Sequence, residues 1–265
     1  MQPQVFAPIG RCIYCQDTSA TDLGREHIVP IGMGGGLILQ KASCKKCSAV
    51  TQSFETTCQR KMFIRHRVAQ GLVRHSREME SRMQEITEQP NYLILPFIQG
   101  MPGMVTGQAP TVPFHGPFRF YGIKEEWPKD APIAWIDELI RAFDMSAFMR
   151  LLAKIAHSFS VAHLGIDSFD PELLELIQGH APDSGAWFVG ESKDEIEPPK
   201  QSLHQVGMTF MPWGRRWLVV VRIRLWSAHA TPAYNVISGI LIETPELMAR
   251  FSLHPLDPPA LPIVD

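Results

Sequence analysis

The sequence has few cysteines, no long apolar run and, over its first third, hardly any proline. Five cysteines in 265 residues are too few for the disulfide scaffolds of small secreted domains. The most apolar stretch, WLVVVRIRLW at 217–226, carries two arginines and falls well short of the roughly 18 residues that a membrane helix needs. The opening MQPQVFAPIG has no basic segment followed by an apolar one, so no secretory signal is expected. Together these absences predict a cytoplasmic chain with no membrane partner, in a reducing setting where paired cysteines point to metal rather than to disulfides.

Charge of one sign is also lacking: the net charge is −2. The distribution is less even. Residues 1–90 hold 12 Lys/Arg against 8 Asp/Glu, and the remainder holds 13 against 19. The positive charge is concentrated between 41 and 82, where ten Lys/Arg face three Glu. A basic stretch of this kind is either a solvated helix face or a surface that follows phosphates. An apolar content of 45% with 20% charged residues suits a globular protein.

Proline divides the chain. Four of the 22 prolines occur by residue 90, the fourth being Pro90 itself, and seven more fall between Pro96 and Pro132. Three segments are therefore expected: a module over 1–89, a Pro/Gly-rich connection over 90–132, and a domain over 133–265 with a targeting or sensing role. Within the first, residues 48–88 contain no proline and predict helix, with Gly71 as a dividing point. In the last, 133–165 has a strong helical pattern ended by Gly165. A short helix is expected in DPELLELIQG, with Asp170 as N-cap, Pro171 at the first position and Gly179 after the end. HQVGMTFM, RRWLVVVRIRLW and YNVISGILIE read as strands; in the second, Val219, Val221, Ile223 and Leu225 alternate with Arg222 and Arg224. Helices followed by strands predict an α+β fold with a largely antiparallel sheet.

Four of the five cysteines form two Cys-x-x-C pairs, Cys12/Cys15 and Cys44/Cys47, with 28 residues between them. That spacing matches a four-cysteine structural zinc site built from two knuckles, each delivering two thiolates on one tight turn. Zinc binding by so small a module is linked to its folding. Cys58, with no partner at metal spacing, is expected in the core. Between the pairs lie Glu26 and His27 in EHIVP, a short strand by its β-branched Ile28 and Val29. IGMGGG then predicts a turn, LILQKA a second strand, and Cys44 leads into the helix. The turn reading of Gly34–Gly36 stands beside a functional one, close approach of a phosphate backbone. His66 and His75 are expected at the surface, and His157 and His163 packed in the apolar helix.

The succession GRCIYC, EHIVP, GMGGG, ASCKKC and TQSFE over residues 10–56 resembles the HNH endonuclease family, whose nuclease core is a ββα-metal finger. More narrowly it is similar to a bacterial branch with a C-x-x-C … EHIIP … GG … ASC-x-x-C … T-x-x-FE pattern. The resemblance implies a zinc-stapled ββα-metal module at the head of an α+β chain, and an enzyme hydrolysing phosphodiester bonds, most plainly in DNA. It implies His27 as the general base and Glu26 as a ligand to a divalent cation, Mg²⁺ or Mn²⁺. The broad family has Asn or His after the second Cys-x-x-C; this chain has Ser48. On a helix starting there, Ser48, Thr51, Gln52 and Glu55 share one face, so Glu55 is a candidate replacement ligand; the other reading of Glu55 is a salt bridge to a nearby Lys or Arg. Lys45, Lys46, Arg65 and Arg67 are the candidate phosphate contacts. One site per chain would favour a homodimer if both strands are cut. The competing reading is a zinc-stabilised module that binds nucleic acid without cleaving it, and the weak ligand Ser48 is its main support.

Overall fold

The computed structural model describes residues 3–73, 93–96, 98, 100–108, 118–121, 140–141, 143–190, 202–229 and 231–256. Over these the chain is a mixed α+β fold with two principal sheets. The first sheet has the order β1(Gln4–Pro8), β3(Leu37–Cys44), β2(Leu23–His27). β1 runs parallel to β3, while β2 is antiparallel to it with Glu26 opposite Leu39 and His27 opposite Ile38. The return between β2 and β3 needs its glycines. Gly34 adopts φ 88°, and a Cβ on Gly35 would lie 1.8 Å from the Val29 carbonyl oxygen. The turn reading of this cluster accounts for both positions.

β3 passes directly into helix α1 (Lys45–Thr57). The helix expected over 48–88, with Gly71 as its dividing point, breaks earlier: a π-helical turn at Cys58–Met62 follows α1, and a short α2 (Ile64–Ala69) follows that. In the π turn the Phe63 N–H reaches back five residues to the Cys58 carbonyl at 2.9 Å. Such a turn shifts the side chains after it relative to a continuous helix. Residues 74–88, including His75, lie outside the described residues, as does most of the 90–132 connection. Within that connection β4(Leu93–Pro96) pairs antiparallel with β5(Phe118–Tyr121).

Helix α3 (Met145–Leu164) forms the middle of the molecule. Asp144 caps it by accepting the Ala147 N–H at 2.8 Å. It is buried almost all round, as expected of a helix apolar on more than one face. On one side it meets α1, and on the other β9(Arg216–Leu225) and β10(Tyr234–Leu241). The second sheet is antiparallel throughout, in the order β6(Phe169–Pro171), β10, β9, β8(His204–Trp213), with the two-residue β7(Val189–Gly190) also on β10. Helices α4 (Leu174–Gln178) and α5 (Pro245–Arg250) complete it.

One buried cluster runs from Cys12 and Ile13 through Phe63, Phe148 and Trp226 to Leu247. The aromatic contacts Phe63–Phe148 at 6.3 Å and Phe63–Trp226 at 6.0 Å cross from the first region to the second. Several local expectations change under this packing. Asp170 and Pro171 belong to β6 rather than capping a helix, and α4 starts after Leu173; Gly179 does end it, at φ 84°. Arg224, on the face of β9 opposite Val219, Val221, Ile223 and Leu225, is itself buried and donates from Nε to the Thr231 carbonyl at 2.8 Å. Both faces of β9 are covered, because Leu218 and Val220 enter a second small cluster with Ile237 and Ile240. His66 is buried rather than superficial, its ring 4.4 Å from that of Trp226 and 4.5 Å from that of His229. Cys58 and His157 are buried as expected.

Candidate functional site

The two Cys-x-x-C pairs meet. The sulfurs of Cys12, Cys15, Cys44 and Cys47 all lie within 4.8 Å of one another. A Zn–S bond of about 2.3 Å makes the edge of a regular tetrahedron about 3.8 Å, and the Cys15–Cys44 sulfur separation is 3.8 Å. The cluster is thus compatible with a structural zinc ion. Local geometry accounts for each knuckle. After Cys15, Gln16 turns the chain with φ 57° and donates its N–H to the Cys12 carbonyl at 2.9 Å. Cys44 is the N-cap of α1, its sulfur accepting the Cys47 N–H at 3.5 Å, and the positive end of a helix favours a thiolate there. From the second region Gln178 donates to the Cys47 sulfur at 3.3 Å; nothing in the spacing of the motif announced this partner.

Further along α1 a cleft of about 610 Å³ opens against the end of β2 and the turn after it. Its wall includes Glu26, His27, Ser48 and Glu55, the four residues singled out for the hydrolytic centre. The helical spacing of Ser48, Thr51, Gln52 and Glu55 holds, since all four line the cleft. The π turn contributes Gln59 and Arg60, and Arg25 and Arg67 bring the cleft's arginines to three. Of the glycines in the turn after β2 only Gly32 reaches it.

At the back of the carboxylates lies a residue that the sequence reading passed over. Lys154 of α3 is fully buried and does not line the cleft. Its ammonium is 2.6 Å from Glu26 Oε1 and 2.9 Å from Glu55 Oε1. It also donates to the backbone carbonyl of His27 and, at 3.3 Å, to that of Ile28. Burial opposes charge on Lys154, but the two carboxylates outweigh it and hold the ammonium above its ordinary pKa. Glu55 therefore forms a salt bridge, to a buried lysine 99 positions away rather than to a neighbour on the basic helix.

His27 is half-buried, and its Nδ1 is shut off from solvent with no hydrogen-bond partner among the described residues. Burial first, then the nearby Lys154 ammonium, lowers its pKa from the ordinary histidine value, so the imidazole is neutral at pH 7. Tyr14 stands behind Glu26, its hydroxyl 3.2 Å from Ser158 Oγ. Burial, reinforced by the Glu26 carboxylate, holds this phenol well above its ordinary pKa.

The four basic residues chosen for phosphate contact are not brought together. Lys45 and Lys46 are exposed on the first turn of α1, outside the cleft wall. Arg67 lines the cleft, but its guanidinium is engaged by the carbonyls of Gly32 at 2.5 Å and Gln59 at 2.9 Å. Arg65 is partly buried and takes no part in the wall. Arg60, exposed and in the wall, was not singled out; only the π turn aims it there.

No family model, curated protein or solved structure matches this chain. Among the described residues no helix is long and apolar enough to cross a membrane.

Proposed function

We propose that the protein is a metal-dependent endonuclease of the HNH kind, hydrolysing phosphodiester bonds in nucleic acid, DNA being the expected substrate. The observation that carries this reading is the convergence of Glu26, His27, Ser48 and Glu55 on one cleft beside a four-sulfur cluster. The donor set fits a hard divalent cation such as Mg²⁺ or Mn²⁺: two carboxylates and a hydroxyl, with no thiolate among them. Glu26 and Glu55 would hold it, with Ser48 completing the set. The cation would supply charge stabilisation at the scissile phosphate and its leaving oxygen.

The remaining work falls to the chain's own residues. His27, neutral at pH 7, accepts the proton of the attacking water. Its unpartnered Nδ1 is a buried nitrogen that lacks the orienting hydrogen bond common to catalytic imidazoles. Arg60 offers a positive charge to the phosphate from the cleft wall, and Arg67 fixes the Gly32 turn that borders it. The four cysteines hold β3 and α1 in register, so that residues from 26 and 55 face one space.

A second reading, a zinc-stabilised module that binds nucleic acid without cutting it, is favoured by one observation. Lys154 already neutralises part of the carboxylate pair, which lowers its attraction for a divalent cation. Nicking of supercoiled plasmid by zinc-loaded protein in Mg²⁺ or Mn²⁺ separates the two. The nuclease reading expects cleavage that EDTA stops and that His27→Ala reduces by about 10²–10⁴-fold, with DNA affinity and folding retained. Cleavage at the full rate in His27→Ala would remove this mechanism, and absence of cleavage with DNA binding intact would leave the second reading in its place.

A further inference from the structure

We infer that Lys154 is the fixed internal cation of the Glu26–Glu55 pair, a positioning residue that holds both carboxylates from behind and sets how tightly the cleft takes a divalent cation. The inference rests on the proposed site and goes beyond it, because Lys154 lies in the second region of the chain and outside the motif that suggested that site.

Geometry carries the argument. The ammonium faces four acceptors, the two carboxylates and the carbonyls of His27 and Ile28, and has three protons to give. It is 0% exposed, whereas Glu26 and Glu55 both reach the cleft wall. The carboxylates therefore have a cation behind them and the cleft in front. A lysine on a helix buried nearly all round would normally carry its charge out to water along its aliphatic stem. This one is surrounded by core, and an unpaired charge there would be expensive. Pairing with two carboxylates resolves that cost and leaves the three groups with one excess negative charge. The same bonds tie the backbone at 27–28 to α3, so the position of His27 depends on the second region. A divalent cation entering from the cleft meets two oriented carboxylates with a combined charge of −1 rather than −2. That arrangement trades affinity for fixed geometry, which suits a group that must stay positioned through a reaction cycle.

A purely structural lysine and a charge-setting one predict opposite signs. Calorimetric titration of Mn²⁺ into zinc-loaded protein reads the difference without any need for cleavage. In Lys154→Met, which keeps the length and removes the charge, Mn²⁺ affinity should rise at least tenfold. At saturating Mn²⁺, turnover should fall because the carboxylates and the His27 backbone are no longer fixed. Lys154→Arg should return the affinity to within a few-fold of wild type. Unchanged or weaker Mn²⁺ binding in Lys154→Met would overturn the inference. If that variant does not fold, the double variant Lys154→Met/Glu55→Gln, which restores the charge balance, should fold. Failure of the double variant as well would show that packing and not charge holds Lys154, and would equally overturn it. If the wild-type protein cuts nothing yet Lys154→Met binds Mn²⁺ more tightly, the nuclease reading falls and the role of Lys154 stands.

Discussion

At the N-terminal end of α1 four sulfurs drawn from residues 12 to 47 face one another, whereas beside its last turn Glu55 and Glu26 face an ammonium from residue 154. The sulfur cluster is local: the first knuckle lies in the turn between β1 and β2, the second where β3 passes into α1, and among the described residues only Gln178 reaches in from elsewhere. The carboxylate cluster is assembled across the molecule. It needs β2 for one acid, α1 for the other and α3 for the cation. A local cluster can be held by a metal within a module that has little core of its own. A cluster spanning two regions stays in place only while those regions share packing, here through Phe63, Phe148 and Trp226. The first region is thus closed by zinc-type ligands at one end and by the second region at the other.

Breaking the sulfur end should have the largest effect. Purified protein should carry about one zinc per chain, and Cys44→Ser should lose it and lower the thermal transition by well over 10 °C, because zinc binding contributes on the order of 10 kcal/mol in such modules. Hydrogen exchange should show protection disappearing first in β2, β3 and α1, while β8, β9 and β10 keep theirs. Wild-type protein that holds no zinc and melts at the same temperature as Cys44→Ser would sink the assignment. If α1 instead keeps its protection after zinc is stripped, the carboxylate end is the stronger of its two anchors.

The same contrast explains what was legible in the sequence. Ligands confined to a short stretch leave a spacing, and Cys12, Cys15, Cys44 and Cys47 could be read from it, as could the strand and the helix around the second pair; the first strand was placed too far along, since β2 ends at His27 and the β-branched Ile28 and Val29 lie beyond it. Ser48, Thr51, Gln52 and Glu55 share a face for the same reason: helical periodicity is local. Lys154 left no such trace. It lies in MRLLAKIAHSFS, where a lysine reads as a solvated position on an amphipathic helix, and only the packing of α1 against α3 reveals what it meets. The burial of Arg224 left no trace either, since strand alternation marks two faces but not which of them is covered, and in β9 both are. His66 looked superficial because its neighbours Arg65 and Arg67 are basic; its partners Trp226 and His229 are about 160 positions away. The break in the long helix at Cys58–Met62 had no signature either, there being no proline or glycine to cause it.

A third tie between the regions sharpens the comparison through pH. His204, at the start of β8, faces the Met33 carbonyl with Nε2 at 2.7 Å and accepts the Trp226 N–H on Nδ1 at 3.2 Å. Both nitrogens are thereby assigned, one as donor and one as acceptor, so the ring must be neutral. Burial lowers its pKa to about 4, against the ordinary value of about 6.5. A folded-state pKa below the unfolded one means that the stabilisation is complete above pH 6.5. It declines as the unfolded chain takes up the proton, and is gone once pH passes below 4. The upper limit is about 3 kcal/mol. The thermal transition should fall by several degrees between pH 7 and 4.5, and His204→Gln, which cannot titrate, should reduce that slope. An identical slope in the variant would place the acid sensitivity elsewhere, His157 being the next buried neutral imidazole, with a pKa of about 4.

The smallest expected effect concerns Lys45 and Lys46, which sit at the sulfur end of α1 rather than beside the carboxylates. They are exposed, and each can neutralise a phosphate only if the nucleic acid runs past the cysteine cluster on its way to the cleft. Acidic residues in the first turn of a helix are favourable for the helix itself, so Lys45→Glu/Lys46→Glu should fold and melt close to wild type, and zinc content checks that the thiolates beside them are undisturbed. Under those conditions DNA affinity is a clean measure. Each lost phosphate contact removes about 0.9 from the slope of log K against log salt concentration, so the double reversal should flatten that slope by between one and two, with affinity falling by a similar factor on every sequence tested. A slope that does not move would confine the phosphate path to the cleft, where Arg25 and Arg60 are the exposed arginines, and would make the two lysines a solvated helix start. In that case Arg60→Ala should produce the change in slope that the lysines did not.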